Sequence, residues 1–406
     1  MKKLAIAIVG GGTAGSSAAL FLSRAGHEVT VFERVPEPGP VGAGIMMQPS
    51  GLGVLARLGC VEPILTRGAR VERLVCQNER DVKVLDLAYE RLAPGLFGIG
   101  LHRGVLFETL FGALRASSAR VVLGVSIARV GASKRGRRVL VDDLGERHGP
   151  FDLVVVADGA RSPTRDSMTE VAKTSVRYPW GAMWFIGEDR DRTYEGRLFQ
   201  RVRGTRGMVG MLPSGLGPGE GATPLTSLFF SVKMDEVETW RTGGLDAWKA
   251  HVLSFAPEAA PLLDQITRLA QITIATYWNV TMPRWHAAGV VFLGDAAHAT
   301  SPQLGQGCNL ALVDAMTLAE VLADSGDVPS ALDRYTALRR DHLAYYQLAT
   351  RWLTPFFQSD HRALGPLRDL LMSKTKWSGF AEREMVRSMC GTKTGIFTGS
   401  FATKMP

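Results

Sequence analysis

Three short stretches of this sequence combine glycines with a carboxylate in ways that suit a phosphorylated cofactor. The first is Gly10-x-Gly12-x-x-Gly15, with Glu33 placed 18 residues beyond Gly15. Glycines at this spacing allow a tight turn and a close backbone approach to a pyrophosphate. The free amides and dipole of the helix that follows favour its negative charge. An acid at Glu33 stands where a ribose hydroxyl needs an acceptor, and it suits an unphosphorylated ribose better than a 2′-phosphate. The second stretch runs Asp152-Leu-Val-Val-Val-Ala-Asp158-Gly159-Ala-Arg161-Ser162, with Arg165 beyond. A buried strand leading into Asp158-Gly159 delivers a carboxylate to the carboxyl end of a sheet, where α/β cofactors bind; a plain strand-to-turn stop gives the same pattern. The third is Gly294-Asp295-Ala296-Ala297-His298, then Pro302, Gly305-Gln306-Gly307-Cys308-Asn309 and a helix. Again a strand ends in an acid, and a loop of backbone donors at a helix start can hold negative charge on a reduced ring system.

Elements must exist to position these groups. Leu4 to Val9 is a short apolar run, Thr13 to Arg24 is helical in period, and Glu28 to Phe32 reads as a second strand. This βαβ opening predicts an α/β fold on a parallel sheet. A helix over Pro49 to Leu58 follows a glycine-rich loop, and Val105 to Leu114 is helical in period. Arg120 to Val130 and Arg138 to Asp142 read as strands of a small hairpin layer, and Phe151 to Ala157 as a buried strand. From about Lys173 to Gln271, aromatic and β-branched residues alternate in short runs, such as Gly181 to Ile186, Met208 to Leu212 and Ser227 to Val232, which predicts a mostly antiparallel sheet. After Ile272 the α/β texture returns with Val290 to Leu293 and a helix over Gly307 to Leu322. Leu310, Ala311, Leu312, Ala315 and Leu318 form its packing face. The expected division is a discontinuous nucleotide-cofactor-binding domain over 1–72, 98–172 and 272–345, a substrate domain over 73–97 and 173–271, and a helical C-terminal segment over 346–406.

Composition sets outer limits. At 406 residues, two domains sharing a large core are expected. The formal charge of +8 suits an anionic cofactor or substrate, and no nucleic-acid motif accompanies it. The basic run Lys134 to Arg138 reads as a solvated turn. Four cysteines (Cys60, Cys76, Cys308, Cys390) show neither a CxxC pair nor metal-ligand spacing, which fits a reducing cytoplasm. The N-terminal apolar run is too short for a signal peptide and reads as a strand. No run of about 18 apolar residues is present for a transmembrane helix.

The three motifs in this order resemble the para-hydroxybenzoate hydroxylase family of FAD-dependent flavoprotein monooxygenases, over roughly Leu4 to Leu322. The resemblance implies a Rossmann-like FAD domain, a mixed-sheet substrate domain and a helical C-terminus. It implies that Gly10, Gly12, Gly15 and Glu33, with neighbouring Arg34 and Gly44, bind the cofactor. Arg103, in His102-Arg103-Gly-Val-Leu106, lies near the ribityl-diphosphate by the same resemblance. Asp158-Gly159 serves both FAD and the incoming nicotinamide nucleotide, and Asp295 takes the ribitol. The Pro302 to Asn309 loop, with backbone roles for Pro302, Gly305 and Gly307, lies against the isoalloxazine ring. Departures from the family pattern are Val156 for a glycine, Ser301 for a proline and Ser50 for an asparagine; they bear on the shape of the substrate site.

The implied reaction takes NAD(P)H and O2, forms a flavin C(4a)-hydroperoxide and hydroxylates an aromatic or lipophilic small molecule; no separate nicotinamide domain is needed. Trp184, Phe185, Met211 and Phe229 are candidate pocket residues or plain core. His298 and Cys308 read as loop architecture and packing. Arg197, Arg201, Arg203 and Arg206 read as a solvated face or as an anion site. Epoxidation and N-hydroxylation use the same chemistry. A halogenase lacks support because Trp180 and Trp184 do not form the usual tryptophan signature, and a saturating reductase fits Gly305-Gln306-Gly307 with Asn309 less well. A flavin-binding partner protein without oxygenase activity is the reading from another class. The C-terminal set Lys374, Lys376, Arg383, Arg387 and Lys393, with Trp377 and Phe380, reads as a packed helix, with membrane contact as the alternative.

Overall fold

The computed structural model describes residues 2–132, 136–373, 379–396 and 399. Ala5–Val9 forms the first strand, and Ile6, Ala7 and Ile8 are wholly buried. A strand apolar at every position must be covered on both faces, as in a parallel sheet with helices on each side. It lies between Leu153–Val156 and Glu28–Glu33, parallel to both. The full six-stranded order is His286–Ala287, Val290–Phe292, Leu153–Val156, Ala5–Val9, Glu28–Glu33 and Arg120–Leu123. Only the His286–Ala287 edge runs antiparallel.

Arg120–Leu123 departs from the expected hairpin layer. It pairs in parallel with Thr30 to Glu33, and Gly124, at φ +74°, turns the chain out of the sheet. The small layer instead has three strands, Ile127–Ala132, Arg138–Asp142 and Arg147–Phe151. Of the basic run, Lys134 and Arg135 lie outside the described residues. Arg138 opens a strand and donates from Nε to Ala288 O at 2.6 Å.

The middle of the chain builds a nine-stranded sheet. Its path runs through Thr273–Thr281, Thr174–Glu188, Pro224–Lys233, Gly207–Leu216, Gly196–Arg203, Ala69–Asn78, Gly98–His102 and Gly44–Met47, with Lys83–Ala88 on Ala69–Asn78. It is antiparallel except where Gly196–Arg203 meets Ala69–Asn78. Both ends of this path, Gly44–Met47 with Gly98–His102 and Thr273–Thr281, come from stretches read in the sequence as nucleotide domain. The two layers therefore interlock through several chain crossings. Period-two alternation gives the sheet two distinct faces. Phe185, Met211, Leu228 and Phe230 pack in a closed core with Trp248 and Val252 of the helix Leu245–Leu253. Trp184 and Phe229, directly paired across strands, lie on the opposite face.

The helix Val328–Phe357 runs 30 residues, straight through the division expected at residue 345. It leaves the nucleotide domain and ends on the broad sheet, where Gln358 Nε2 donates to Ser231 Oγ at 2.7 Å and Tyr178 Oη donates to Gln358 Oε1 at 3.0 Å. Beyond it lie the helices Leu364–Ser373 and Gly379–Met389. In the latter, Val386, Ser388 and Met389 are buried, and buried Glu384 pairs with Lys393 at 2.7 Å and Arg387 at 2.5 Å. Of the basic set, Arg387 and Lys393 are packed as the helix reading expects, whereas Arg383 is exposed and Phe380 is 63% exposed; Lys374, Lys376 and Trp377 lie outside the described residues. Among the described residues, no helix is long and apolar enough to cross a membrane.

Candidate active site

The glycine turn is dictated by close packing. Gly10 has φ +100°, and a Cβ there would lie 2.5 Å from Ala157 O and 3.0 Å from Asp158 Cα. At Gly15 a Cβ would meet Gly10 O at 1.9 Å. Gly12 differs, because a Cβ there would meet no protein atom within 4 Å. It faces open space at the start of the helix Thr13–Arg24, which has no side-chain cap. The first helical amides, uncapped by any side chain, suit an anion. Glu33 accepts from Gly11 N at 2.7 Å and from Val35 N at 3.0 Å, so its carboxylate also braces the turn. Arg34 beside it is exposed.

Asp158 lies against Gly10. Both carboxylate oxygens are buried without a hydrogen-bond partner. Burial pushes its pKa up, with the hydroxyls of Ser162 and Thr164 acting in the opposite sense. A buried carboxylate left unpaired is costly, and such groups mark places where a ligand completes the polar set. Arg165, fully buried, does not neutralise it; its guanidinium reaches Ala160 O, Ala296 O and Asp166.

The third motif closes on the first. A Cβ at Gly294, whose φ is +57°, would lie 3.1 Å from Ala14 Cβ and 3.2 Å from Ala311 Cβ. Asp295 is exposed, with Oδ1 3.8 Å from where a Cβ of Gly307 would stand. Pro302–Leu304 makes one tight turn, Gly305 takes the left-handed conformation, and Gly307 begins the helix Gly307–Asp324. Asn309 ties this loop to the broad sheet. Its Oδ1 accepts from Gln48 N at 2.9 Å, and its Nδ2 donates to Met46 O at 3.0 Å and Gly305 O at 3.2 Å. Gly44 is pressed against the paired hydroxyls of Ser214 and Ser227, 2.7 Å apart. Arg103, exposed at the start of the helix Arg103–Arg115, packs under Gly42.

A cavity of about 310 Å³ lies between the segment Gly42-Ala43 and the broad sheet, lined by Gly42, Ala43, Trp184, Phe185, Ile186, Gln271 and Thr273. Trp184 packs at a tilt of 42° against Phe229, with ring centroids 5.1 Å apart, and donates from Nε1 to Tyr277 Oη at 3.2 Å. Met211 does not join them. It is wholly buried on the other face, because its strand partner Leu228 precedes Phe229 by one and therefore points away.

Of the arginine cluster, Arg197 is exposed and lies 5.5 Å over the Phe199 ring, while the other three are held by partners. Arg201 binds Glu258 and Asp81, Arg206 binds Glu236 and Asp360, and Arg203 lies 4.6 Å over the Phe255 ring. Two groups escaped the sequence reading. Tyr89, wholly buried, donates to Gln48 Oε1, and Asp314 gathers His298, Arg339 and Gly294 N at the core of the third motif. Neither pairing carries a local spacing signal, since each joins residues from distant parts of the chain.

A glycine-rich strand–helix turn, two acids at sheet ends and a loop of backbone donors tied to a second, broad sheet define a flavoprotein. A family model described as FAD binding domain matches residues 3–346, and the chain belongs to that family. The 3-amino-4-hydroxybenzoate 2-monooxygenase of Streptomyces cremeus is 30% identical over 88% of this chain and 88% of its own length. A putative 2-heptyl-3-hydroxy-4(1H)-quinolone synthase of Rhodococcus erythropolis is 27% identical over 96% and 97%. The crystal structure of Klebsiella pneumoniae HpxO with FAD and uric acid matches with a TM-score of 0.78 at 21% identity, over 95% of this chain and 96% of that one, and supports the fold. The protein is an FAD-dependent monooxygenase.

Proposed function

We propose that the protein uses NAD(P)H and O2 to hydroxylate an aromatic or other electron-rich small molecule. The observation that carries this reading is that the three motifs meet in space. Gly10 backs on Asp158, Gly294 on Ala14, and Asp295 stands beside Gly307. In this reading Gly10, Gly12 and Gly15 admit the pyrophosphate, and Glu33 with Arg34 takes the adenosine side. Gly44 and Arg103 border the middle of the cofactor, Asp158 and Asp295 accept hydrogen bonds from it, and Pro302, Gly305, Gly307 and Asn309 seat the ring. When bound, FAD takes reducing equivalents from the nicotinamide and activates O2 for transfer of one oxygen atom.

The chain's own residues supply position and environment. Amides at the start of the helix Gly307–Asp324 favour negative charge on the ring. Trp184 and Phe229 offer an apolar face that orients an aromatic ring and excludes water. The quinolone and aminohydroxybenzoate relatives support a planar, oxygen-bearing substrate of this kind. The division into 1–72, 98–172 and 272–345 against 73–97 and 173–271 is proposed as the functional one, cofactor against substrate. A cytoplasmic location is in keeping with four free cysteines. Reconstitution with FAD, followed by NAD(P)H oxidation with and without aromatic compounds, tests the reading.

A further inference from the structure

Gln306 stands between Gly305 and Gly307 and precedes the helix Gly307–Asp324, yet its side chain makes no cap on that helix. Its amide reaches instead to the C-terminal segment. Nε2 donates to Met389 O at 2.7 Å and to Ser388 O at 3.3 Å, across 83 and 82 residues of chain. The residue is 5% exposed, and its Oε1 is buried with no hydrogen-bond partner. The same turn holds the other wall of the site, because Ser50 N donates to Cys390 O at 3.1 Å.

Gly391 sits between these two walls. Its φ is +79°, and a Cβ there would lie 2.0 Å from Ser50 Oγ and 2.8 Å from Gln306 Oε1. The turn is itself anchored from behind: His342 Nε2 lies 2.9 Å from Gly391 O, and Tyr346 Oη donates to Ser388 O at 2.9 Å. The turn therefore has fixed supports on one side and the loop on the other.

We propose that the turn Ser388–Gly391 is a positioning element for the flavin ring, and that Gln306 is the positioning residue through which it acts. This rests on the reading of Pro302 to Asn309 as the ring loop. Glycines on both sides of Gln306 leave that loop much backbone freedom, and ordering it carries an entropic cost. Two hydrogen bonds from a buried amide to a rigid turn offset part of that cost. They set the direction of the Gly307 and Cys308 amides before the cofactor arrives.

The test uses the full chain with FAD and three variants, Gln306→Leu, Gln306→Glu and Gly391→Ala. FAD affinity is measured by fluorescence titration, the bound flavin by visible absorption and circular dichroism, and the apoprotein by its melting temperature. Gln306→Leu removes both donors at similar volume, and FAD binds about tenfold more weakly with an altered flavin band. Gln306→Glu keeps the shape but turns an acceptor toward two carbonyls. Its binding is weak at pH 8 and recovers as pH falls, because the protonated carboxyl donates again. Gly391→Ala shifts the flavin band in the same direction, because its Cβ presses on Gln306 Oε1 although Gly391 lies 84 residues beyond Gly307 in the chain.

Wild-type affinity and spectra in both Gln306 variants, with no pH dependence in Gln306→Glu, would overturn the proposal. If Gly391→Ala fails to fold, the Gln306 pair decides alone. These readouts need no substrate, so a protein that binds FAD but never oxygenates would refute the proposed function and leave this result readable.

Discussion

The carboxylate of Asp314 lies 2.6 Å from Nε2 of His298, and both side chains are buried. The same carboxylate accepts from Gly294 N at 2.8 Å and from Arg339 Nε at 2.7 Å. Burial works to raise its pKa, but His298 and Arg339 outweigh burial and hold it well below the usual carboxylate range. One ion therefore fixes the turn that presents Asp295, the helix that begins at Gly307, and the long helix that carries His342. A histidine that could be taken for a catalytic base is here part of the scaffold.

His342 gives this scaffold a pH signature. Burial, and next the Arg339 guanidinium, lower its pKa to about 3 from an ordinary 6.5. The fold thus binds the neutral ring, and its contribution is complete above pH 6.5 and lost as pH falls toward 3. His342→Gln should show a shallower loss of stability between pH 6.5 and 5, by up to about 1.4 kcal/mol per pH unit. Urea denaturation at several pH values measures this, and equal slopes would refute it.

The glycines of the first motif separate fold from cofactor. Gly15→Ala forces an atom to within 1.9 Å of Gly10 O, so it lowers the melting temperature of the apoprotein as well as FAD binding. Gly12→Ala meets only open space and should leave the apoprotein within about 0.5 kcal/mol of wild type while weakening FAD binding sharply. Melting curves paired with FAD titrations distinguish the two.

Asp158 should show the opposite balance. Its pKa is raised by burial, so the fold favours the protonated carboxyl and loses stability as pH rises above the ordinary carboxylate range. Asp158→Asn mimics the protonated form. The apoprotein of this variant should melt higher than wild type at pH 8 and about equally at pH 4, while its flavin is reduced more slowly by NAD(P)H.

The two faces of the broad sheet make a further contrast. Met211→Ala opens a hole in a closed core and should cost about 2–5 kcal/mol of stability with little change in KM. Trp184→Ala removes a cavity wall and should raise KM for an aromatic substrate by about tenfold, with a smaller loss of stability. Steady-state kinetics and denaturation of both variants test the assignment of faces.

Much of this was legible in the sequence because it is local. The glycine spacing, the apolar strand before Asp158 and the acid of Asp295 each sit within a few residues, and the helix Thr13–Arg24 lies where its period places it. Sheet membership was harder. Gly44–Met47 and Thr273–Thr281 carry no mark of which sheet they join, since pairing is decided by distant strands. The face of Met211 needed the register against Leu228. The links from Asp314 to Arg339 and from Gln306 to Met389 span 25 and 83 residues and join side chains whose types are ordinary in isolation.

The most direct measurement is NAD(P)H oxidation by the purified FAD-loaded protein, with and without a panel of aromatic and quinolone-like compounds, followed by product mass. The account predicts that at least one compound strongly stimulates oxidation and gains one oxygen atom. Bound FAD that NAD(P)H does not reduce, whatever compound is present, would contradict it.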